Sequence, residues 1–139
     1  MKFIDKIKLK TKIRQVEKRV LHYNLHKWQK DVILNGFWDN PNVPWYKRAS
    51  GKTTAYDLYF ILNYDFKPSG RCINKMRMEG YSLETIKNVV NLRNLVLDDE
   101  PQVQDSRQYR HLHIRRMMLL YQGMKDKGIK VREIKFYDK

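Results

Sequence analysis

A chain of 139 residues has the size of one domain and is long enough to bury a core without covalent staples. Its single cysteine, Cys72, excludes an internal disulfide framework and fits a reducing compartment. No apolar run reaches the roughly 18 residues of a membrane span, and the start, Met1-Lys2-Phe3-Ile4-Asp5-Lys6, is too charged for a signal peptide. The expectation is a cytoplasmic protein, in the host cytoplasm if viral.

The formal net charge is +14, and its distribution is uneven. Residues 1–50 hold 12 Lys/Arg against 4 Asp/Glu, residues 105–139 hold 10 against 4, and residues 51–104 are balanced at 7 against 7. Two basic ends flanking a neutral centre predict a polyanionic partner, bound with release of its counterions. Nucleic acid, DNA ahead of RNA, or a nucleoprotein complex is the partner expected. The nine tyrosines add rings that can stack on unpaired bases.

Residues 3–22 read as a helix with Ile13, Val16, Val20 and Tyr23 at helical spacing and Ile4 and Ile7 leading in. Its polar face carries Lys6, Lys8, Lys10, Lys12, Arg14, Lys18 and Arg19, so it can lie on nucleic acid or on an acidic membrane surface. A second helix is expected over 25–34, and Gly36 to Pro44 is punctuated as a loop.

The run Arg48-Ala49-Ser50-Gly51-Lys52-Thr53-Thr54 follows, leading into an apolar helix that extends to about Tyr64. A phosphate-binding loop needs inward backbone N–H groups, a Lys for the terminal phosphates and a Thr or Ser hydroxyl for Mg²⁺. Gly51-Lys52-Thr53 supplies that order, at a helix start whose dipole favours an anion. The full pattern places a glycine at position 46, which is Tyr46 here, and the preceding Asn42–Tyr46 is a poor strand. The plain reading of the same residues is a basic turn with Thr53 or Thr54 capping a helix.

Residues 65–70 break the chain again. Residues 71–78 do not declare a period, and a strand is one reading of them. Ser82 is placed to cap a helix whose apolar positions are Leu83, Ile86, Val89 and Val90. Asn94 to Pro101 is open between the end of that helix and a buried strand, Leu95-Val96-Leu97, running into Asp98-Asp99-Glu100; acids at a helix C-terminus oppose the macrodipole and favour the strand. A helix over about 105–127 ends at Gly128, and residues 129–136 nearly alternate as a last strand.

An apolar strand ending in acids is the form of the second motif of a P-loop ATPase, in which one acid holds the Mg²⁺ shell and the next polarises water. Either Asp98 with Asp99, or Asp99 with Glu100, can fill those roles. Trp28-Gln29 followed by Lys47-Arg48-Ala49-Ser50-Gly51-Lys52-Thr53-Thr54 resembles the front of phage large-terminase ATPases and related helicase-like motors, over about residues 25–63 and 94–100. The resemblance implies Gln29 on adenine, Arg48, Ser50, Gly51, Lys52 and Thr54 around the phosphates, and Thr53 with Asp98 and Asp99 on Mg²⁺, with Asp99 and Glu100 catalytic. Only 46 residues separate Lys52 from Asp98, too few for a complete motor core.

The expected architecture is therefore one α/β domain, mainly helical, with a small sheet and basic helices at both ends. Residues 1–35 form a basic helical region, and 45–139 a reduced P-loop core. The leading functional expectation is a P-loop-like nucleotide-binding protein using ATP and Mg²⁺ on nucleic acid, in phage DNA packaging or processing. The contender is a non-enzymatic binder of nucleic acid or nucleoprotein, a phage accessory factor, regulator or inhibitor. Lys8, Lys12, Arg19, Arg107, Arg110, Arg115 and Arg116 are the candidate phosphate contacts. Gly80-Tyr81-Ser82-Leu83-Glu84-Thr85-Ile86-Lys87 also resembles a helix opening in some helix-turn-helix DNA-binding proteins, which keeps the contender in view. His22 and His26, and His111 and His113, lack the further ligands of a tetrahedral metal site.

Overall fold

A computed structural model describes residues 3–45, 51–99 and 107–138. Helix α1 (Phe3–Val16) runs directly into a π-helical turn, Glu17–Leu21, so the long first helix expected from sequence changes pitch at Glu17. Leu9, Ile13 and Val16 recur every three or four residues and are buried. Ile4 and Ile7, expected to lead that stripe, are exposed instead, because only the second half of α1 meets the core. His22 ends the turn in the left-handed region at φ 60°. The buried Glu17 carboxylate then accepts the Leu25 N–H at 2.6 Å and lies 3.4 Å from Lys30 Nζ, which fixes where the chain re-enters the fold.

Helix α2 (Lys27–Asn35) packs against α3 (Lys52–Leu62). Every residue of α3 from Ala55 to Leu62 is buried. A helix without a polar face must be enclosed on all sides, and α3 is the axis of the molecule. Phe37, Trp38, Trp45, Tyr56, Phe66, Tyr59 and Phe60 form a continuous aromatic cluster beside it, with neighbouring ring centroids 4.9–6.2 Å apart. Asn63 ties the ends of α2 and α3 together: its amide donates to the Ile33 carbonyl at 2.8 Å and its oxygen accepts the Asp65 N–H.

Helix α4 (Gly70–Glu79) covers the residues left open between strand and other states. Ser69 caps it, accepting the Cys72 N–H. Ser82 caps α5 (Leu83–Asn88), as expected, but Val89 and Val90 leave the helix to form strand β1 (Val89–Val90). The segment Leu95–Leu97 is a 3₁₀ turn, neither the end of the preceding helix nor the favoured strand: the Asn94 side chain accepts the Val96 N–H and donates to the carbonyls of Ile86 and Val89, which turns the backbone there.

Helix α6 (Arg107–Asp126) buries Ile114, Met117, Tyr121 and Met124. Gly128 ends it at φ 75°, with the Ile129 N–H reaching back to Met124 in the manner of a Schellman cap. Of the expected last strand only β2 (Lys135–Phe136) pairs, parallel to β1, with Val89 opposite Lys135 and Val90 opposite Phe136. The fold is mainly helical with this two-stranded parallel sheet. Among the described residues no helix is long and apolar enough to cross a membrane.

Candidate functional site

Gly51 stands at the N-terminus of α3 in the left-handed region, φ 90° and ψ 17°. Gln29, reaching across from α2, donates to the Gly51 carbonyl at 3.1 Å and accepts the His26 N–H at 2.7 Å. The glutamine expected on adenine is thus buried, joining the N-termini of two helices. Lys52 is buried as well, and its ammonium donates to the Pro44 carbonyl at 3.2 Å. Thr53 and Thr54 are half-buried, and among the described residues no side-chain cap is made at this first turn. The described residues ahead of the loop, up to Trp45, form turns rather than a strand. Arg48, Ser50 and Glu100 lie outside the described residues.

The two described acids are engaged within the fold. Asp99 is buried, and its oxygens accept the Tyr56 hydroxyl at 3.1 Å, the Ser69 N–H at 3.0 Å and the Ser69 hydroxyl. Burial raises its pKa above the ordinary carboxylate value, against the lowering effect of those hydrogen bonds. Tyr56 lies one helical turn beyond Lys52, so the structure brings Asp99 to the face of α3 that carries Lys52. Asp98 is exposed and takes the Arg110 guanidinium. Among the described residues no three His, Cys, Asp or Glu side chains gather as a metal-holding group.

Arg110, Arg115 and Arg116 of α6 also turn to partners in the chain. Arg110 donates to the carbonyls of Leu92 (2.6 Å) and Asn94 (3.1 Å) besides Asp98, fastening the 92–98 segment to α6. Arg115 and His111 both meet Asp138, at 2.8 and 2.7 Å, and their hydrogen bonds, Arg115 first, hold that carboxyl below its usual range. Arg116 donates to Asp57 at 3.2 Å. Arg107 opens α6.

Lys8, Lys12 and Arg19 occupy a different setting. Arg19 reaches the Lys127 carbonyl at 3.3 Å, across a sequence separation of 108 residues. Lys12 stands 5.5 Å above the ring of Tyr64, an exposed aromatic. The pKa of Lys12 is lowered by partial burial, then by Lys130, then by Lys8. The first helical segment and the tail after α6 therefore meet at two places, Lys12 with Lys8 and Lys130, and Arg19 with Lys127. A recess of roughly 220 Å³ opens between Lys8, Lys12 and Tyr64, with Asp5 and Asp65 also in its walls.

No family model, curated protein or solved structure matches this chain.

Three groups escaped the sequence reading. Tyr64 is one of nine tyrosines, and nothing local marks it as exposed beneath a lysine. Lys130 adds to the charge of the tail with no local mark of its place near Lys12. Arg132, alone between Val131 and Glu133, is buried against the ring of Phe60 at 4.6 Å and donates to the carbonyls of Phe60 and Lys87. Its sole local signal is a cation on the apolar register of a near-alternating tail.

Proposed function

We propose that this protein binds nucleic acid without catalytic turnover, through the surface that α1 and the tail after α6 build together. The observation that carries the reading is the recess in which Lys8 and Lys12 of α1 meet the exposed ring of Tyr64, where burial, then Lys130 from the far end of the chain, then Lys8 disfavour the charge of Lys12. Like charges brought together by folding cost free energy unless an anion compensates them, and a polyanion supplies that anion by releasing its counterions. Tyr64 adds an exposed ring beside the lysines, suited to stacking on an unpaired base. Single-stranded DNA is the expected ligand class.

The nucleotide-hydrolysing reading has less support. Gly51 and Lys52 do stand at a helix start, yet Gln29, Lys52 and Asp99 are buried and hydrogen-bonded within the fold, and Asp98 is paired with Arg110. Those donors and acceptors have uses that need no phosphate or Mg²⁺, and no step is assigned to them.

The test is fluorescence anisotropy of a labelled single-stranded oligonucleotide at several salt concentrations, with ATP–Mg²⁺ calorimetry alongside. Binding whose logarithm falls linearly with log salt, and no heat from ATP, is the expected result. Absence of oligonucleotide binding at low salt overturns the proposal, and saturable ATP heat lost in Lys52→Ala restores the alternative.

A further inference from the structure

A second recess, roughly 560 Å³, lies between α5 and the tail, and Tyr64 forms part of its wall as it does of the first. Two of its lining cations, Lys87 and Arg132, are themselves more than nine-tenths buried. Among the described residues neither meets a carboxylate within ion-pair distance. Lys87 gives one N–H of its ammonium to the Tyr64 carbonyl, and Arg132 gives three of its N–H groups to the carbonyls of Phe60 and Lys87.

The donor inventory is incomplete in both cases. An ammonium has three N–H groups and a guanidinium five, so about two remain on each side chain. Buried donors seek acceptors, and buried charge seeks counter-charge. Lys135 and the Asn88 amide line the same recess. Glu84 and Glu133 line it too, leaving three cations against two carboxylates, with Glu84 already accepting from Asn88 at 3.3 Å. Arg132 further neutralises the carbonyl ends of α3 and α5, which would otherwise repel an anion.

We propose that this recess holds one phosphate group, bound by Lys87, Arg132 and Lys135. The inference rests on the nucleic-acid reading in taking that phosphate to belong to a strand crossing from the Lys8–Lys12 side past Tyr64. A free phosphate or mononucleotide offers the same chemistry, and the experiment separates the two.

The measurement is an amide NMR titration of the full chain with inorganic phosphate, against chloride at matched ionic strength. Phosphate at about 1–10 mM is expected to move the amides of Asn88, Arg132 and Lys135, as for a weak single-anion site. Lys87→Met and, on the exposed side, Lys135→Glu are expected to abolish the movement; the second variant removes no buried contact. No movement in the wild type, or equal movement in Lys135→Glu, overturns the site. Displacement of phosphate by the oligonucleotide supports the strand as its source. Phosphate that stays bound beside a bound oligonucleotide overturns the strand path and leaves a free phosphate as the ligand. Oligonucleotide that fails to bind while phosphate binds overturns the nucleic-acid reading alone.

Discussion

The side-chain nitrogen of Gln29 lies 3.1 Å from the Gly51 carbonyl, and a methyl group placed on Gly51 would stand 2.5 Å from the same nitrogen. Glycine is therefore required at this turn twice over, by the φ of 90° and by the close approach of Gln29. Gly51→Ala is expected to cost about 1–3 kcal/mol from backbone strain and crowding. Gln29→Ala in the same chain should return the crowding part and leave the strain. Urea denaturation midpoints check this; equal stability of wild type and Gly51→Ala would refute the geometry.

Asp57 and His113 form a pair excluded from solvent, Oδ1 to Nε2 at 3.0 Å, that joins the middle of α3 to α6. Removing one member leaves polar atoms of the other under-satisfied in the interior. His113→Leu is expected to destabilise by about 3–5 kcal/mol, and the double substitution Asp57→Leu/His113→Leu by less than the sum of Asp57→Leu and His113→Leu alone. Thermal and urea unfolding of the four-member cycle give the coupling, and strict additivity would count against the pair.

Two carboxylates impose opposite pH dependences. Hydrogen bonding, from Asn40 above all, lowers the pKa of Asp31 below 3.8. Its contribution is complete above 3.8 and lost as the pH falls through the lower folded value. Asp99 is raised above 3.8 by burial, so the folded state holds its proton longer than the unfolded state, and stability declines as the pH rises from 3.8 through the raised value. The wild-type advantage over Asp31→Ala should shrink on acidification through the first window. The wild-type advantage over Asp99→Asn should shrink on alkalinisation through the second. Parallel stability curves would contradict either assignment.

Lys8→Glu/Lys12→Glu is expected to weaken oligonucleotide binding by tenfold or more and to reduce the salt slope by about 1–2, as for the loss of one or two phosphate contacts. Reversal of the exposed Arg77 on α4, which lines neither recess, should do less. Because Lys12 titrates below 10.5, wild-type binding should begin to fall at a pH below that of an ordinary lysine. Anisotropy across salt and pH reads all three effects.

Tyr64→Ala should cost roughly 1–3 kcal/mol in single-strand affinity and little with duplex, whose bases are already stacked. Competition between the two labelled forms measures the difference. Equal losses on both would reassign Tyr64 from stacking to support of Lys12.

What could be read from the sequence was local. Ser82 as a cap, Gly128 as a helix end and the position of α6 follow from residues within one turn of each other. The departures came from distant partners. Leu95–Leu97 has the composition of a strand, but Asn94 spends its side chain on Ile86 and Val89 and bends the segment. Nothing local to Asp98 announces that α6 brings Arg110 to it. The basic ends were visible as composition, whereas their meeting depends on Arg19 finding Lys127.

That meeting has a consequence for synthesis. Ribosomes deliver α1 before the tail, and the Arg19–Lys127 contact that joins them closes a loop of 108 residues. A nascent chain halted before Lys127 carries Lys8, Lys12 and Arg19 without Lys127 and Lys130, and it lacks Arg132 to bridge α3 and α5. On the proposed reading, the polyanion-binding surface is assembled only in the late event that also brings Ile129 and Ile134 into the core.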